Sequence, residues 1–422
     1  MPKVAYWAPD DEITSLERIA GYHAEHKKPD RHGSAPVMAN MCARVYGVSN
    51  PEFSRDAYIA FQAFIMTNEI VGHDIIVPLI DLSIDPPGFH IGDFYQPMKW
   101  PEHDAARVDY DNSLVKSADD WEKLEYDDVM KIGNRTRYYT DLMKYLCQYF
   151  MYQGDRFGNK HPVTPVIYDT IGCMGMLRGA ERMFVDWMKK PEKAKIGAEI
   201  ITEELCKQVK SICDAQCAVL YLITLFSGNV LMSRKAWMQA GAPYLARMAK
   251  TIDEHAGVTR KGLHNCVNGG YWDLMFKATG HGLHNPMSFA YPPDDCEDAE
   301  DPDACMLEKY GKTDCFLYGY VNPATYMYLG TPHEAEMETK RQMEALGKDG
   351  DFVVATGCEF PPNGPIQNAI AQVAASFKYG RFDGKTTPLP WEWKDWFMPT
   401  RLTPAPPPLG WVPEKVKKGG VV

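Results

Sequence analysis

The sequence GLHNC at 262–266 places an imidazole and a thiol two residues apart. The run is read as the end of a β-strand, where residues two apart point to the same face. His264 and Cys266 therefore face one centre, and Cys358, at the end of a later apolar run, offers a second thiol. One imidazole and two thiolates suit Zn²⁺ and leave a fourth position open, as catalytic zinc sites do.

This motif is a weak signal alone, because the chain has 11 cysteines and 12 histidines. The alternative is a buried cysteine beside a histidine whose hydrogen bonds are satisfied in the core. We expect the other, scattered cysteines to be reduced thiols, most of them core residues. The metal interpretation requires a fold that brings Cys358 to His264.

Short apolar runs alternate with longer stretches of helical spacing, which is typical of an α/β fold with buried parallel strands. The predicted strands are Ala35–Asn40, Asp74–Asp81, Thr164–Asp169, Val219–Phe226, Gly257–Cys266, Met287–Tyr291, Cys315–Asn322 and Phe352–Cys358. The predicted helices are Arg55–Val71, Arg135–Tyr152, Lys195–Cys213, Arg234–His255, Pro332–Leu346 and Pro365–Lys378.

Eight such alternations predict a (β/α)8 TIM barrel with an N-terminal helical segment. The carboxyl ends of barrel strands converge on one rim, which would bring Cys358 to His264. An open doubly wound sheet is the alternative. The chain lacks GxGxxG after its first strand and lacks GxxxxGK[ST], so the usual nucleotide-binding versions of that fold have no support.

Composition excludes several function classes. The 422 residues carry 45 Lys and Arg against 56 Asp and Glu, a net charge of −11. Without basic stripes, neither nucleic acid nor an anionic membrane surface is an expected partner. The most apolar run, 217–232, is interrupted by polar residues and falls short of a membrane span. With no apolar signal core at the N-terminus, we expect a cytoplasmic protein.

Two segments stand apart from the predicted barrel domain, 1–385. Residues 292–312 are acidic and contain Cys296 and Cys305, and we expect a solvated loop there; a second metal site is the alternative. The extension 386–422 is rich in proline and tryptophan, so it cannot form a continuous helix. Its tryptophans favour packing on a surface, including the surface of a second subunit in a homo-oligomer.

Several motifs carry a family resemblance. They are GYVNP at 319–323, LGTP at 329–332, GC at 357–358, NAI at 368–370, and upstream APV at 35–37, GHDII at 72–76 and SRK at 233–235. Over most of residues 30–380 the chain resembles the uroporphyrinogen decarboxylase superfamily. Within it, the sequence is similar to the zinc-dependent corrinoid methyltransferases, which include methylcobalamin:coenzyme M methyltransferases and relatives that demethylate methyl ethers.

The resemblance distinguishes two branches. In the methyltransferase branch an H-x-C motif and a later cysteine bind zinc, which implies His264, Cys266 and Cys358 here. The decarboxylase branch holds a tetrapyrrole's carboxylates with an arginine-rich segment, and the matching residues 39–46 contain one arginine, Arg44. We therefore disfavour decarboxylation. Two positions depart from the methyltransferase pattern, Val267 in place of glycine and Asn322 in place of aspartate.

The resemblance implies methyl transfer between a small O-methyl compound (an aryl methyl ether) or S-methyl compound and a corrinoid. No D-x-H-x-x-G cobalamin motif occurs, so the corrinoid is expected on a partner protein. Asp81 matches the family's pocket aspartate, or is a helix N-cap. Glu359 is a candidate fourth ligand or general acid, or a rim carboxylate, and Tyr320 and Asn322 are candidate cofactor-binding residues at a strand end. A decarboxylase and a non-catalytic, zinc-stabilised scaffold are the alternatives.

Overall fold

The computed structural model describes residues 11–79, 86–127, 135–255, 257–282, 285–311 and 315–385. The predicted tail, 386–422, lies outside these residues. The strands in the described ranges are β1 Ser34–Val37, β2 Phe89–Ile91, β3 Phe94–Tyr95, β4 Met98–Lys99, β5 Arg107–Val108, β6 Glu125–Tyr126, β7 Val166–Tyr168, β8 Val219–Ile223, β9 Arg260–Asn265, β10 Asn285–Phe289, β11 Cys315–Tyr318 and β12 Phe352–Glu359.

Strands β1 and β7 to β12 form one curled parallel sheet in the order β1-β12-β11-β10-β9-β8-β7. Both edges of this sheet meet the same short segment. The Asp74 N–H donates to Ser34 O (2.9 Å) on the β1 side, and the Thr164 N–H donates to Ile76 O (2.9 Å) on the β7 side. Residues 74–76 thus lie where the second strand was predicted. The parallel α/β architecture is confirmed.

The helices surround this sheet. They are α1 Met41–Tyr46, α2 Asn50–Phe53, α3 Ala57–Val71, α4 Arg135–Leu146, α5 Thr170–Arg178, α6 Ala180–Lys189, α7 Pro191–Cys213, α8 Arg234–Ala240, α9 Ala242–Glu254, α10 Trp272–Thr279, α11 Pro302–Met306, α12 Pro332–Leu346 and α13 Ile366–Tyr379. The predicted helix 234–255 divides at Gly241, because Pro243 fits the first turn of a new helix. Among the described helices, none has the length and apolar character needed to cross a bilayer.

Apolar residues close both ends of the space inside the sheet. At the amino-terminal end of the strands, Ile19 and Ala24 from the predicted N-terminal helical segment pack with Phe316 and Ala355. At the other end, Met98 of β4 and Val108 of β5 belong to the same buried cluster as Ile223 of β8. The interior is therefore a packed core with little room for solvent.

The acidic segment 292–312 is more ordered than the expected solvated loop. It contains α11 and a π-helical turn, Leu307–Gly311, and Cys296 is fully buried. Cys296 and Cys305 form a disulfide, which corrects the expectation that all cysteines are free thiols. The structure thus pairs the two cysteines with each other, and this links the two ends of the acidic run.

A buried histidine below the sheet makes the stability depend on pH. Burial lowers the pKa of His32 from 6.5 to about 4, and its Nδ1 donates to Phe352 O at 2.8 Å. The unfolded chain binds this proton at a higher pH than the folded chain. This histidine alone is therefore expected to lower the free energy of unfolding by about 1.4 kcal/mol per pH unit as the pH drops from 6.5 to about 4. His23, His73 and His281 add to this slope, because burial lowers their pKa values too.

Denaturant unfolding measured from neutral pH down to about pH 4 tests this slope. His32→Gln should lower the stability at neutral pH and reduce the pH slope by about one bound proton. An unchanged slope in this variant would show that His32 is not responsible for it.

Candidate metal centre

The predicted ligands lie together at the carboxyl ends of two strands that are far apart in sequence. His264 is in β9, Cys266 follows it, and Cys358 is near the end of β12. His264 Nε2 is 2.7 Å from Cys266 Sγ, and the two sulfurs are 3.4 Å apart. The three ligand atoms all lie within 4.8 Å of one another. The fold therefore brings together the three side chains predicted from the sequence.

Ser288 orients the imidazole. His264 Nδ1 lies 3.1 Å from Ser288 O and 3.0 Å from Ser288 Oγ. A carbonyl oxygen can only accept, so Nδ1 carries the proton and Nε2 presents its lone pair to the sulfurs. Sequence reasoning missed Ser288, which sits beside His264 in the register of β10 with β9.

The two thiols favour holding one negative charge between them. A hydrogen bond with Cys266 is the largest cause that lowers the pKa of Cys358, and the nearby His264 adds to it. The same contact raises the pKa of Cys266, and burial raises it further. The pair therefore releases its first proton readily, while a cation would be needed to remove the second.

The donor set fits Zn²⁺. Two sulfurs and one nitrogen are the ligands that zinc prefers, and three protein ligands leave an open coordination position. A tetrahedral ion with Zn–S bonds of about 2.3 Å and a Zn–N bond of about 2.0 Å needs sulfurs about 3.8 Å apart and the nitrogen about 3.5 Å from each sulfur. The sulfurs would therefore separate by a few tenths of an ångström, and His264 Nε2 would move about 0.8 Å away from Cys266 Sγ. All three side chains are partly exposed, which leaves them within reach of a ligand from the barrel interior.

Glu359 lies beside the three ligands. Its Oε1 accepts hydrogen bonds from Asn40 Nδ2 (2.9 Å) and from the Asn40 N–H (3.2 Å). Its carboxylate is not one of the converging ligand atoms, but it lines the same cavity as His264 and Cys358. The two roles predicted for Glu359, a fourth ligand and a general acid, both stay predictions.

Two other candidates face away from this cavity. The Tyr320 hydroxyl donates to Asp303 in α11, and its backbone N–H donates to Gln342 (3.0 Å). The Asn322 side chain caps a π-helical turn by accepting from the N–H groups of Ala324 and Thr325, at 3.0 and 2.9 Å. Asp81 lies outside the described residues, so its predicted role stays a prediction.

The chain matches a known protein family over most of its length. The model of the family described as Uroporphyrinogen decarboxylase (URO-D) matches residues 23–379. The chain belongs to this family. The resemblance drawn from the motifs at 319–332 and 357–370 is thereby confirmed. No curated protein sequence matches the chain significantly.

Three solved structures are similar to the chain, and the first of them shares its fold. A methyltransferase from Methanosarcina mazei has a TM-score of 0.68 at 17% identity, covering 86% of this chain and 98% of its own. A B12-independent methionine synthase from Shewanella sp. W3-18-1, in complex with selenomethionine, has a TM-score of 0.47 at 12% identity, covering 82% and 95%. A putative vitamin-B12 independent methionine synthase from Listeria monocytogenes has a TM-score of 0.41 at 11% identity, covering 82% and 94%.

In this family member, Ser288→Ala should weaken zinc binding by about tenfold, because the remaining carbonyl holds His264 less firmly. Competition with a chromophoric chelator measures that affinity. Ser233→Ala is the matched control, since Ser233 caps α8 and accepts from Ala236 N. It should lower the unfolding free energy by about 1 kcal/mol without changing zinc affinity. Equal zinc affinities in the two variants would contradict the role of Ser288.

Proposed function

We propose that the chain is a zinc-dependent corrinoid methyltransferase. It moves a methyl group between the heteroatom of a small O-methyl or S-methyl compound and the cobalt of a corrinoid that a separate protein carries. The observation that carries the proposal is the convergence of His264, Cys266 and Cys358 at the end of the barrel strands. The fold shared with a Methanosarcina mazei methyltransferase supports it.

The ligands fit the reaction. In the demethylation direction, the carbon–heteroatom bond breaks, its electron pair stays on the heteroatom, and the methyl group goes to reduced cobalt. A zinc ion held by His264, Cys266 and Cys358 would act as a Lewis acid that stabilises charge on that heteroatom. Two thiolates neutralise the ion formally, which favours reversible binding of an anionic ligand.

Residues of the chain orient the imidazole ligand and exclude water from the site. Ser288 fixes His264 with Nε2 toward the sulfurs. The cavity beside the ligands has mostly apolar walls, which exclude water from the reacting carbon. Asn40 holds the Glu359 carboxyl group at this cavity. When protonated, the group can give a proton to a departing heteroatom, and when ionised it can take one from an incoming thiol.

The decarboxylase alternative lacks a binding site for a polyanion. Arg44, the arginine in the matching segment, donates to the Gly364 carbonyl at 3.2 Å. Among the described residues that line the cavity, none is a lysine or arginine. Carboxylates buried there would have no counter-charge, which is costly.

Methyl transfer to and from free cobalamin tests the proposal. Zinc-loaded protein is incubated with methylcobalamin and a panel of thiols and phenols, and separately with cob(I)alamin and methyl donors. The visible spectrum of cobalamin follows both directions. Turnover above the rate of the metal-free protein supports the proposal. Absence of turnover in both directions, together with porphyrinogen decarboxylation, would replace it with the decarboxylase alternative.

A further inference from the structure

Two tyrosine hydroxyls lie inside the curled sheet with no polar partner outside the pair. Tyr221 of β8 and Tyr318 of β11 are 4% and 3% exposed. Within the part of the chain that the structure describes, neither hydroxyl has a hydrogen-bond partner other than the hydroxyl of the other tyrosine. Two hydroxyls can share one hydrogen bond, so one O–H proton of the pair has no acceptor. Leaving a buried hydroxyl unpaired costs folding free energy, so such groups are rare and need an explanation. Their rings are in edge-to-face contact, with centroids 6.0 Å apart.

Both tyrosines line the cavity that His264 and Cys358 line. Strand pairing places Tyr318 of β11 beside Ser288 of β10, and Ser288 beside His264 of β9. Tyr318 and His264 therefore lie two strands apart at the same height along the sheet. Tyr221 pairs with Gly262, one strand from His264 and two residues deeper. At about 4.8 Å between strands and about 3.3 Å per residue, both tyrosine backbones lie within about 10 Å of the His264 backbone.

Gly262 provides the space for one of these rings. A Cβ at this position would lie 2.7 Å from the Tyr221 ring. The glycine of the GLHNC sequence therefore lets the Tyr221 ring lie against the strand directly below His264. This links the metal-binding motif and the tyrosine pair in one packing arrangement.

The other residues of the cavity wall indicate the polarity and charge of a ligand that the cavity can accept. Seven aliphatic residues contribute to it: Ala35, Val37, Val77, Leu79, Val166, Ile223 and Ala355. No lysine or arginine is among the described residues of the wall, so a buried anionic group would lack a counter-charge. Burial raises the pKa of both tyrosines, so both hydroxyls stay protonated and can donate.

We infer that Tyr221 and Tyr318 form a subsite that donates hydrogen bonds to an uncharged oxygen of the substrate. The substrate is then a small neutral molecule with two polar ends, a sulfur or oxygen at the metal ligands and a hydroxyl, ether or carbonyl oxygen at the tyrosines. A sulfonate or carboxylate is disfavoured by its charge. This inference rests on the proposed function.

Three thiols that differ at one end test the subsite by binding alone. Isothermal titration of zinc-loaded protein compares 2-mercaptoethanol with propane-1-thiol, which has the same number of non-hydrogen atoms, and with 2-mercaptoethanesulfonate. We expect Tyr221→Phe and Tyr318→Phe each to weaken 2-mercaptoethanol binding by about fivefold to tenfold. Binding of propane-1-thiol should stay within about twofold. The sulfonate should bind the unaltered protein at least about tenfold more weakly than 2-mercaptoethanol.

Each outcome of these titrations supports or overturns the tyrosine subsite. Equal effects of the phenylalanine variants on the two uncharged thiols would overturn the subsite and leave the hydroxyls with water as their partner. Tighter binding of the sulfonate would overturn the neutral substrate. If none of the thiols binds but methyl transfer from other donors proceeds, the subsite fails and the proposed function stands. If neither binding nor transfer occurs, the proposed function itself fails.

Discussion

Replacing Cys358 with alanine is expected to remove bound zinc and methyl transfer together, while the fold stays intact. The unaltered protein should retain about one zinc ion per chain when purified without added metal. Cys266→Ala and Cys358→Ala each leave two of three protein ligands, so retained zinc should fall below about a tenth of an ion. Losing several kcal/mol of charge stabilisation in the transition state lowers the methyl-transfer rate by at least about a thousandfold.

Zinc content is measured by metal analysis, the fold by circular dichroism, and methyl transfer by the cobalamin assay. Cys206→Ala is the matched control, because Cys206 is a partly exposed free cysteine of α7 and is not among the converging ligands. It should keep both zinc and activity. Unfolding of Cys358→Ala would favour the zinc-stabilised scaffold, since a structural site contributes to folding. Absence of zinc from the unaltered protein, even after reconstitution, would refute the metal centre.

The convergence of the three side chains could be predicted because their positions in the strands are simple, and the family resemblance singled them out among 11 cysteines and 12 histidines. His264 and Cys266 sit two residues apart in a strand, and Cys358 ends another strand of the same parallel sheet. Parallel strands end at one rim, so the fold class alone brings these side chains close. Their roles in catalysis are still predictions.

Other parts of the site have no such signal. Ser288 acts through a carbonyl and a hydroxyl, which any strand serine could offer. Tyr221 and Tyr318 look like ordinary core residues, and only the absence of a hydrogen-bond partner outside the pair sets them apart. The strands β2 to β6 are two or three residues long, too short for alternation to be visible.

The sequence did not predict the buried charges either, because arginine and aspartate side chains usually lie at the surface. Arg18, Arg31 and Asp74 have side chains no more than 2% exposed. Asp74 accepts from Arg31 at 2.8 and 3.0 Å and from Arg18 at 2.8 Å. Burial alone would raise the pKa of Asp74, but the two arginines lower it well below its usual value. These charges lie at the amino-terminal ends of the strands, where barrels place residues that stabilise the fold.

Asp74→Asn should therefore reduce stability strongly without touching the metal centre. The substitution removes the charged hydrogen bonds of Asp74 to Arg18 and Arg31 and leaves Asp11 and Asp30 as the carboxylate partners of the two arginines. Breaking a buried ion pair costs about 3–5 kcal/mol. Denaturant unfolding measures this loss, and zinc content should be unchanged because the ligands sit at the opposite end of the sheet. Asp74 is negatively charged in the folded protein at all moderate pH values, so the loss should be full at neutral pH.

An exposed ion pair is the control for this prediction. Arg247 and Glu199 contact each other with side chains 43% and 59% exposed. Arg247→Met should cost less than about 1 kcal/mol, because water already solvates both charges. Comparable losses in Asp74→Asn and Arg247→Met would show that the buried cluster gives no special stability. A large loss of stability in Asp74→Asn with zinc retained would instead show that the two ends of the sheet have different roles, one stabilising the fold and the other binding the metal.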